Sequence, residues 1–125
     1  MTNTQTSHSK QKKDQVVAKA LLNAARRLDI TNVELSKVIG VSESTLSRMG
    51  DDNYFPDNRK VFELAVLFIR LYRSLDTILA GDDVSSASWL RSANSALRAR
   101  PIDRIKTIEG LMDVLSYLDS RRAVI

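Results

Sequence analysis

Between Arg59 and Leu79 the chain reads RKVFELAVLFIRLYRSLDTIL, and its apolar residues recur at 61, 64, 68, 71, 75 and 78. Steps of three and four trace one seam of an α-helix. Phe62, Ala65, Ile69 and Tyr72 add a second apolar row beside the first. A helix of this length, about 30 Å at a rise of about 1.5 Å per residue, then carries an apolar arc wider than a single surface contact requires. Two readings stay open: the helix is the buried spine of the monomer, or part of the arc also meets a second copy of the chain. A membrane span is excluded, because the longest charge-free apolar run is Leu64–Ile69 and Glu63, Arg70, Arg73 and Asp76 interrupt the pattern.

A chain of 125 residues accommodates one domain or two small modules sharing a core. Only 6% of it is aromatic, with four Gly and two Pro, which favours helices over a turn-rich β fold. With no Cys, disulfides and thiolate metal sites are ruled out. The single histidine, His8, sits in a polar stretch, so a His-based metal site or a Ser-His-Asp arrangement lacks its parts. The first residues, MTNTQTSHSKQKK, contain no apolar segment of the kind a secretory signal needs, and a cytoplasmic location is the expectation.

Charge is unevenly spread. Residues 10–48 hold eight basic side chains (Lys10, Lys12, Lys13, Lys19, Arg26, Arg27, Lys37, Arg48) against four acidic ones (Asp14, Asp29, Glu34, Glu43), and the charges of the rest of the chain cancel. A basic N-terminal part is what a phosphate backbone attracts.

Residues 1–9 are expected to be a disordered tail, and a first helix is expected from Lys10 to near Asp29, with Val17, Leu21, Ala24 and Leu28 on one face. TNVELSKVIGVSESTLSRMG follows. Thr31 and Glu34 have capping-box spacing and start a short helix. Gly40 stops it, since glycine takes the left-handed turn conformation at little steric cost. Ser42 caps a second helix to about Met49. Leu35 and Ile39 face inward from the first, Val41 plugs the turn, Leu46 and Met49 face inward from the second, and small Ser36 stands at the crossing. Together these form a helix-turn-helix pattern. Its second helix enters the DNA major groove in proteins built this way. Ser44, Thr45, Ser47 and Arg48 then face outward, with Arg48 suited to a guanine edge and the hydroxyls to bases or phosphates. Ser42 joins this set at the helix start, and Lys37, Arg26 and Arg27 are candidate phosphate contacts.

Residues 10–58 thus form the helix-turn-helix region, closed by a loop in which Asp57 or Asn58 caps the central helix of residues 59–80. Beyond it, Ser85 or Ser86 caps another helix to about Leu97, RARPIDRIK is a bend, and Thr107 caps a last helix with Ile108, Leu111, Val114, Leu115 and Leu118 inward. Trp89 reads as a packing anchor, and Asn94 as a side chain placed to bond the following bend. About six helices and no strand are expected: an all-α fold with an N-terminal helix-turn-helix, a long central helix and a C-terminal helical hairpin over residues 81–125. No nucleophile–base pair or metal cluster appears, so catalysis is not expected and no cofactor is implied.

The C-terminal stretch, WLRSANSALRARPIDRIKTIEGLMDVLSYLDSRRAVI, resembles the C-terminal toxin-binding domain of the Xre/MbcA/ParS family of type II antitoxins. The resemblance rests on Trp89-Leu90, Asn94, Ala96-Leu97, Pro101-Ile102-Asp103, Ile105, Thr107, Glu109-Gly110-Leu111, Val114 and Leu118. Leu67–Asp83 (LFIRLYRSLDTILAGDD) is similar to that family's middle region. Arg98-Ala99 stands where the family usually has a Gly pair, and Ala123 where it usually has a Gly. The resemblance implies a partner toxin of the RES-domain type, which consumes NAD⁺ and is silenced when the antitoxin's C-terminal region covers its active site. It also implies repression of the shared operon through the helix-turn-helix, an Xre/Cro-like module. On that basis Asp113, Tyr117, Arg121, Arg122, Val124 and Ile125 are the expected toxin contacts, and operator DNA the second partner. A homodimer, or a larger assembly with toxin, would present two recognition helices one DNA turn apart. The alternative is a stand-alone repressor whose C-terminal hairpin only completes a dimer.

Overall fold

A computed structural model describes the backbone of residues 4–124 and the side chains of residues 9–123; Ile125 lies outside the described residues. The described residues form seven helices: α1 (Thr4–Arg27), α2 (Asn32–Ile39), α3 (Glu43–Asp52), α4 (Arg59–Ile78), α5 (Asp83–Arg91), α6 (Pro101–Arg104) and α7 (Ile108–Val124). The fold is all-α, and its one β feature among these residues is an isolated bridge between Asn94 and Ala99. No described helix is long and apolar enough to cross a membrane.

α4 lies at the centre. Ala65, Phe68 and Leu71 are fully buried and Leu75 nearly so, and α1, α2, α5 and α7 all pack against the helix. Buried Leu21 and Ala24 of α1, with Leu28 just past its end, face the core from the N-terminal part of the chain, and Leu111, Val114, Leu115 and Leu118 of α7 from the C-terminal part. Its wide apolar arc is therefore largely used within one chain. Phe62, Ile69 and Tyr72 are half-buried against the core, while Val66, 42% exposed, is the large apolar residue of α4 most open to solvent. The arc leaves far less free surface for a second copy than its sequence suggests.

Local chemistry sets the helix ends. Thr31 and Glu34 make the full capping box, Ser42 accepts from the Thr45 amide, and Asn58 caps α4 by accepting from the Val61 amide. Gly40 ends α2 at φ 74°. For α5 the cap is Asp82, not Ser85 or Ser86: its carboxylate accepts from the Ser85 amide at 3.1 Å and the Ser85 hydroxyl at 2.7 Å, which holds its pKa below the ordinary range. A charged acceptor at a helix N-terminus outcompetes a serine hydroxyl there.

Three other expectations are corrected. Helix α1 starts at Thr4, so residues 4–9 continue it and are not a separate tail; once a helix is nucleated each added residue gains a backbone hydrogen bond at little extra cost. The bend at 98–106 contains a short helix of its own. Pro101 opens it at the first helical position, where its missing N–H costs nothing, and Arg100 before it is extended. Ile108 is 53% exposed rather than inward. Gly110, two residues on and so about 200° round the helix, is the side that presses against α6, and this turns Ile108 out.

Gly110 is packed so closely that an added Cβ would overlap the Arg104 carbonyl, a backbone group that yields less readily than the end of a flexible side chain. Gly50, inside α3, faces only Leu22 Cδ1 at 3.6 Å, an ordinary contact. Gly50→Ala should therefore stabilise the fold by about 0.5–1 kcal/mol, whereas Gly110→Ala should cost about 3 kcal/mol by overpacking. Urea titrations followed by helical circular dichroism measure both, and opposite signs are expected.

Candidate nucleic-acid and partner interfaces

The helix-turn-helix is built on buried Leu35, Val38 and Ile39 of α2 and Leu46 and Met49 of α3. Ser36 is half-buried with its hydroxyl donating to the Val33 carbonyl at 2.8 Å, so it takes little room at the crossing. This packing turns Glu43, Ser44, Ser47 and Arg48 of α3 to solvent. Ser42 and Thr45 are more committed. Ser42 Oγ accepts from the Thr45 amide at 3.1 Å and lies 2.9 Å from Thr45 Oγ1 and 3.1 Å from Ser44 Oγ. The three hydroxyls form one cluster at the start of α3, where the free amides and the helix dipole favour an anion. The Arg48 guanidinium lies 3.9 Å from the centroid of the Tyr54 ring, a cation–π contact that limits its freedom without using its N–H donors.

The outlying basic residues separate into two groups. Lys37 is exposed on the last turn of α2, and Arg26 is exposed with one donor on Asn23 Oδ1 at 2.6 Å. Arg27 instead reaches Asp83 in the first turn of α5 at 3.2 Å, so it fastens α1 to the C-terminal half.

A second fastening is stronger. Arg91, in the last turn of α5, donates to both oxygens of Glu34 at 2.8 Å and to the Asp29 carbonyl at 2.8 Å. Asp29 is the left-handed residue (φ 57°) that ends α1, and Glu34 is the acid of the α2 capping box. One guanidinium thus holds the corner between α1 and α2. Arg91 first, then the Thr31 amide, pull the Glu34 pKa down from 4.5 to about 2. Nothing local in the sequence marks Arg91 for this role, since its partners lie 57 and 62 residues away.

On α7, Asp113, Tyr117 and Arg121 recur every fourth residue and share a side. Tyr117 stacks on Trp89, with ring centroids 6.1 Å apart, and the Arg121 guanidinium stands 5.0 Å from the Tyr117 ring centroid. Asp113 pairs with Arg104. Arg122 points elsewhere, with Nη1 donating to Ser74 Oγ of α4 at 3.3 Å. The segment RRAVI is helical through Val124. Basic residues at a helix C-terminus favour its continuation. The side chain of Val124 and all of Ile125 fall outside what is described.

Beside this face runs a groove of about 700 Å³ lined by Ala96, Arg98, Ala99, Arg104, Asp113 and Tyr117. Arg98 adopts φ 61°, the conformation that a Gly would take without strain. The turn is closed by Asn94, whose side chain accepts from the Leu97 amide at 3.2 Å and whose amide donates to the Ala99 carbonyl at 3.1 Å. Arg98 and Arg104 were not among the candidates read from sequence, although the Arg at a usual Gly position was the available signal. Among the described residues no group of three or more His, Cys, Asp or Glu side chains is placed to hold a metal ion.

Residues 10–70 match the family model described as the antitoxin Xre-like helix-turn-helix domain. Residues 74–123 match that of the antitoxin Xre/MbcA/ParS C-terminal toxin-binding domain. No curated protein matches the chain.

Because the folded pKa of Glu34 lies below its ordinary value, the Arg91–Glu34 pair stabilises the fold fully above about pH 4.5 and less as pH falls toward 2. Arg91→Ala should cost about 1–2 kcal/mol at pH 7, the partial exposure of both groups reducing the full effect. The gap between wild type and variant should close in denaturant titrations stepped from pH 5 to pH 2.

Proposed function

Because the chain belongs to the Xre-type antitoxins, we propose that it neutralises a RES-domain, NAD⁺-consuming toxin in the cytoplasm and represses its own operon. The end of α7 covers the toxin's active-site entrance. The observation that carries this reading is the exposed final stretch of that helix. Leu118 is buried against the core, yet Ser120, Arg121, Arg122 and Ala123 are all exposed and still helical. A helix that outruns its own core is a preformed plug: burying Val124 and Ile125 on a partner would contribute about 1.5–3 kcal/mol each, with the backbone-ordering cost already met as far as Val124. Tyr117 and Arg121 would dock the flank of the same helix, with Asp113 one turn earlier.

DNA recognition is assigned to the outward face of α3. Arg48, held over Tyr54 with its donors free for a guanine edge, reads a base, while Ser44, Ser47 and the hydroxyls of Ser42 and Thr45 meet bases or phosphates. Lys37 and Arg26 add phosphate contacts, whereas Arg27 is retained by Asp83. Two half-sites about 34 Å apart require two copies of the chain. The small apolar remainder on α4 leaves the dimer contact unassigned to that helix.

Arg48→Ala should lower operator affinity by about 1–3 kcal/mol and relax preference at one base position, leaving toxin neutralisation unchanged. Gel-shift titrations over operator variants measure the loss, and sedimentation of the same complex counts the copies of the chain bound.

Deleting Arg121–Ile125 removes no buried described residue but takes the Arg122 donor from the buried Ser74 hydroxyl, so stability should fall by no more than about 1–3 kcal/mol and operator binding should persist while toxin neutralisation weakens. The measurement is NAD⁺ consumption by the RES-domain toxin, titrated with intact and shortened chain. Equal protection by both would move the contact back toward Tyr117, and no protection by either would favour a stand-alone repressor.

A further inference from the structure

The groove between the 94–99 turn and α7 is not accounted for by packing or by the exposed end of the helix. Three of its properties point the same way. Arg98 holds a left-handed backbone conformation that side-chain-bearing residues rarely adopt, and it projects an exposed side chain at the groove's rim. No ion pair of Arg98 occurs among the described residues. Arg104 is only partly satisfied: Nη2 pairs with Asp113, but Nε is buried with no hydrogen-bond partner. Buried donors are nearly always paired in a functional assembly. The charge, finally, does not close, since two guanidiniums face a single carboxylate.

One further carboxylate would close the charge and supply acceptors for the guanidiniums. A guanidinium takes a planar carboxylate in bidentate fashion, and Arg is the residue for such a contact at an interface. Phosphate fits less well, because Asp113 would repel its greater charge. Every residue of the groove lies within the toxin-binding domain, and Tyr117 joins it to the face described above. We propose that the groove receives an Asp or Glu side chain of the toxin, gripped by Arg98 at the rim and by Arg104 beneath it. This inference rests on the reading of the chain as a toxin-neutralising protein. Strain at Arg98 is then the cost of placing a guanidinium where a glycine would suit the turn better.

The two roles of Arg98 separate in one variant. Arg98→Gly relieves the backbone strain and removes the charge. Its melting temperature should equal or exceed that of the wild type, while its affinity for a RES-domain toxin that the wild type neutralises falls about tenfold. Arg98→Glu, placing like charge against the incoming acid, should bind more weakly still. Isothermal titration of wild type, R98G and R98E with that toxin, each preceded by a melting curve, reads both effects. Undiminished binding by a well-folded R98G overturns the acidic contact while leaving neutralisation by α7 standing. Failure of the wild type itself to bind overturns both.

Discussion

Removal of Ala65, Phe68, Leu71 and Leu75 from water along a single helix is the condition on which the other elements depend. Neither the helix-turn-helix nor the C-terminal hairpin encloses a core alone. Each completes its apolar interior against α4, on which α1, α2, α5 and α7 all pack. A fully apolar arc would be a liability on an exposed helix. Here it is what lets two small modules, each short of apolar surface to bury, share one interior.

The same helix separates the two faces in sequence, but they are not mechanically independent. Arg91 spans from α5 to Glu34 and the Asp29 carbonyl, and Arg27 spans from α1 to Asp83. Both bridges cross from the helix-turn-helix region to the cassette that follows α4. The first is the better built, because it is bidentate, partly shielded, and anchored on a carboxylate already fixed by a capping box. A partner docked on the C-terminal cassette therefore meets a body whose recognition helix is already oriented, with two charged struts and a shared core between the two surfaces.

Much of this was legible beforehand, and what was not has a physical reason. Helical periodicity gave the spine, and the Thr31–Glu34 box, Gly40 and the Ser42 cap gave the helix-turn-helix, because those signals are local. Asp82 displaced Ser85 as a cap, a contest between neighbouring acceptors that position alone does not decide. The short helix at Pro101–Arg104 looks like a bend in the sequence, since proline marks a helix start and a break equally well. The outward turn of Ile108 depends on what Gly110 touches across the corner, and the Arg91 bridge on a partner more than fifty residues distant. For the site, spacing placed Tyr117 and Arg121 on one side of α7, but Arg104 became visible only when α6 was set beside Asp113.

The close seat of Gly110 against the Arg104 carbonyl has a consequence for how such a chain can diversify. It gives α7 a single rotational phase relative to the rest of the molecule. An α-helix advances about 100° per residue, so one residue gained or lost between Arg104 and Gly110 would swing Asp113, Tyr117 and Arg121 a quarter-turn or more away from their present aspect. Length changes at that corner would thus scramble the whole surface at once. Exchange of individual side chains upon a helix of fixed phase is the route left open for acquiring a new partner.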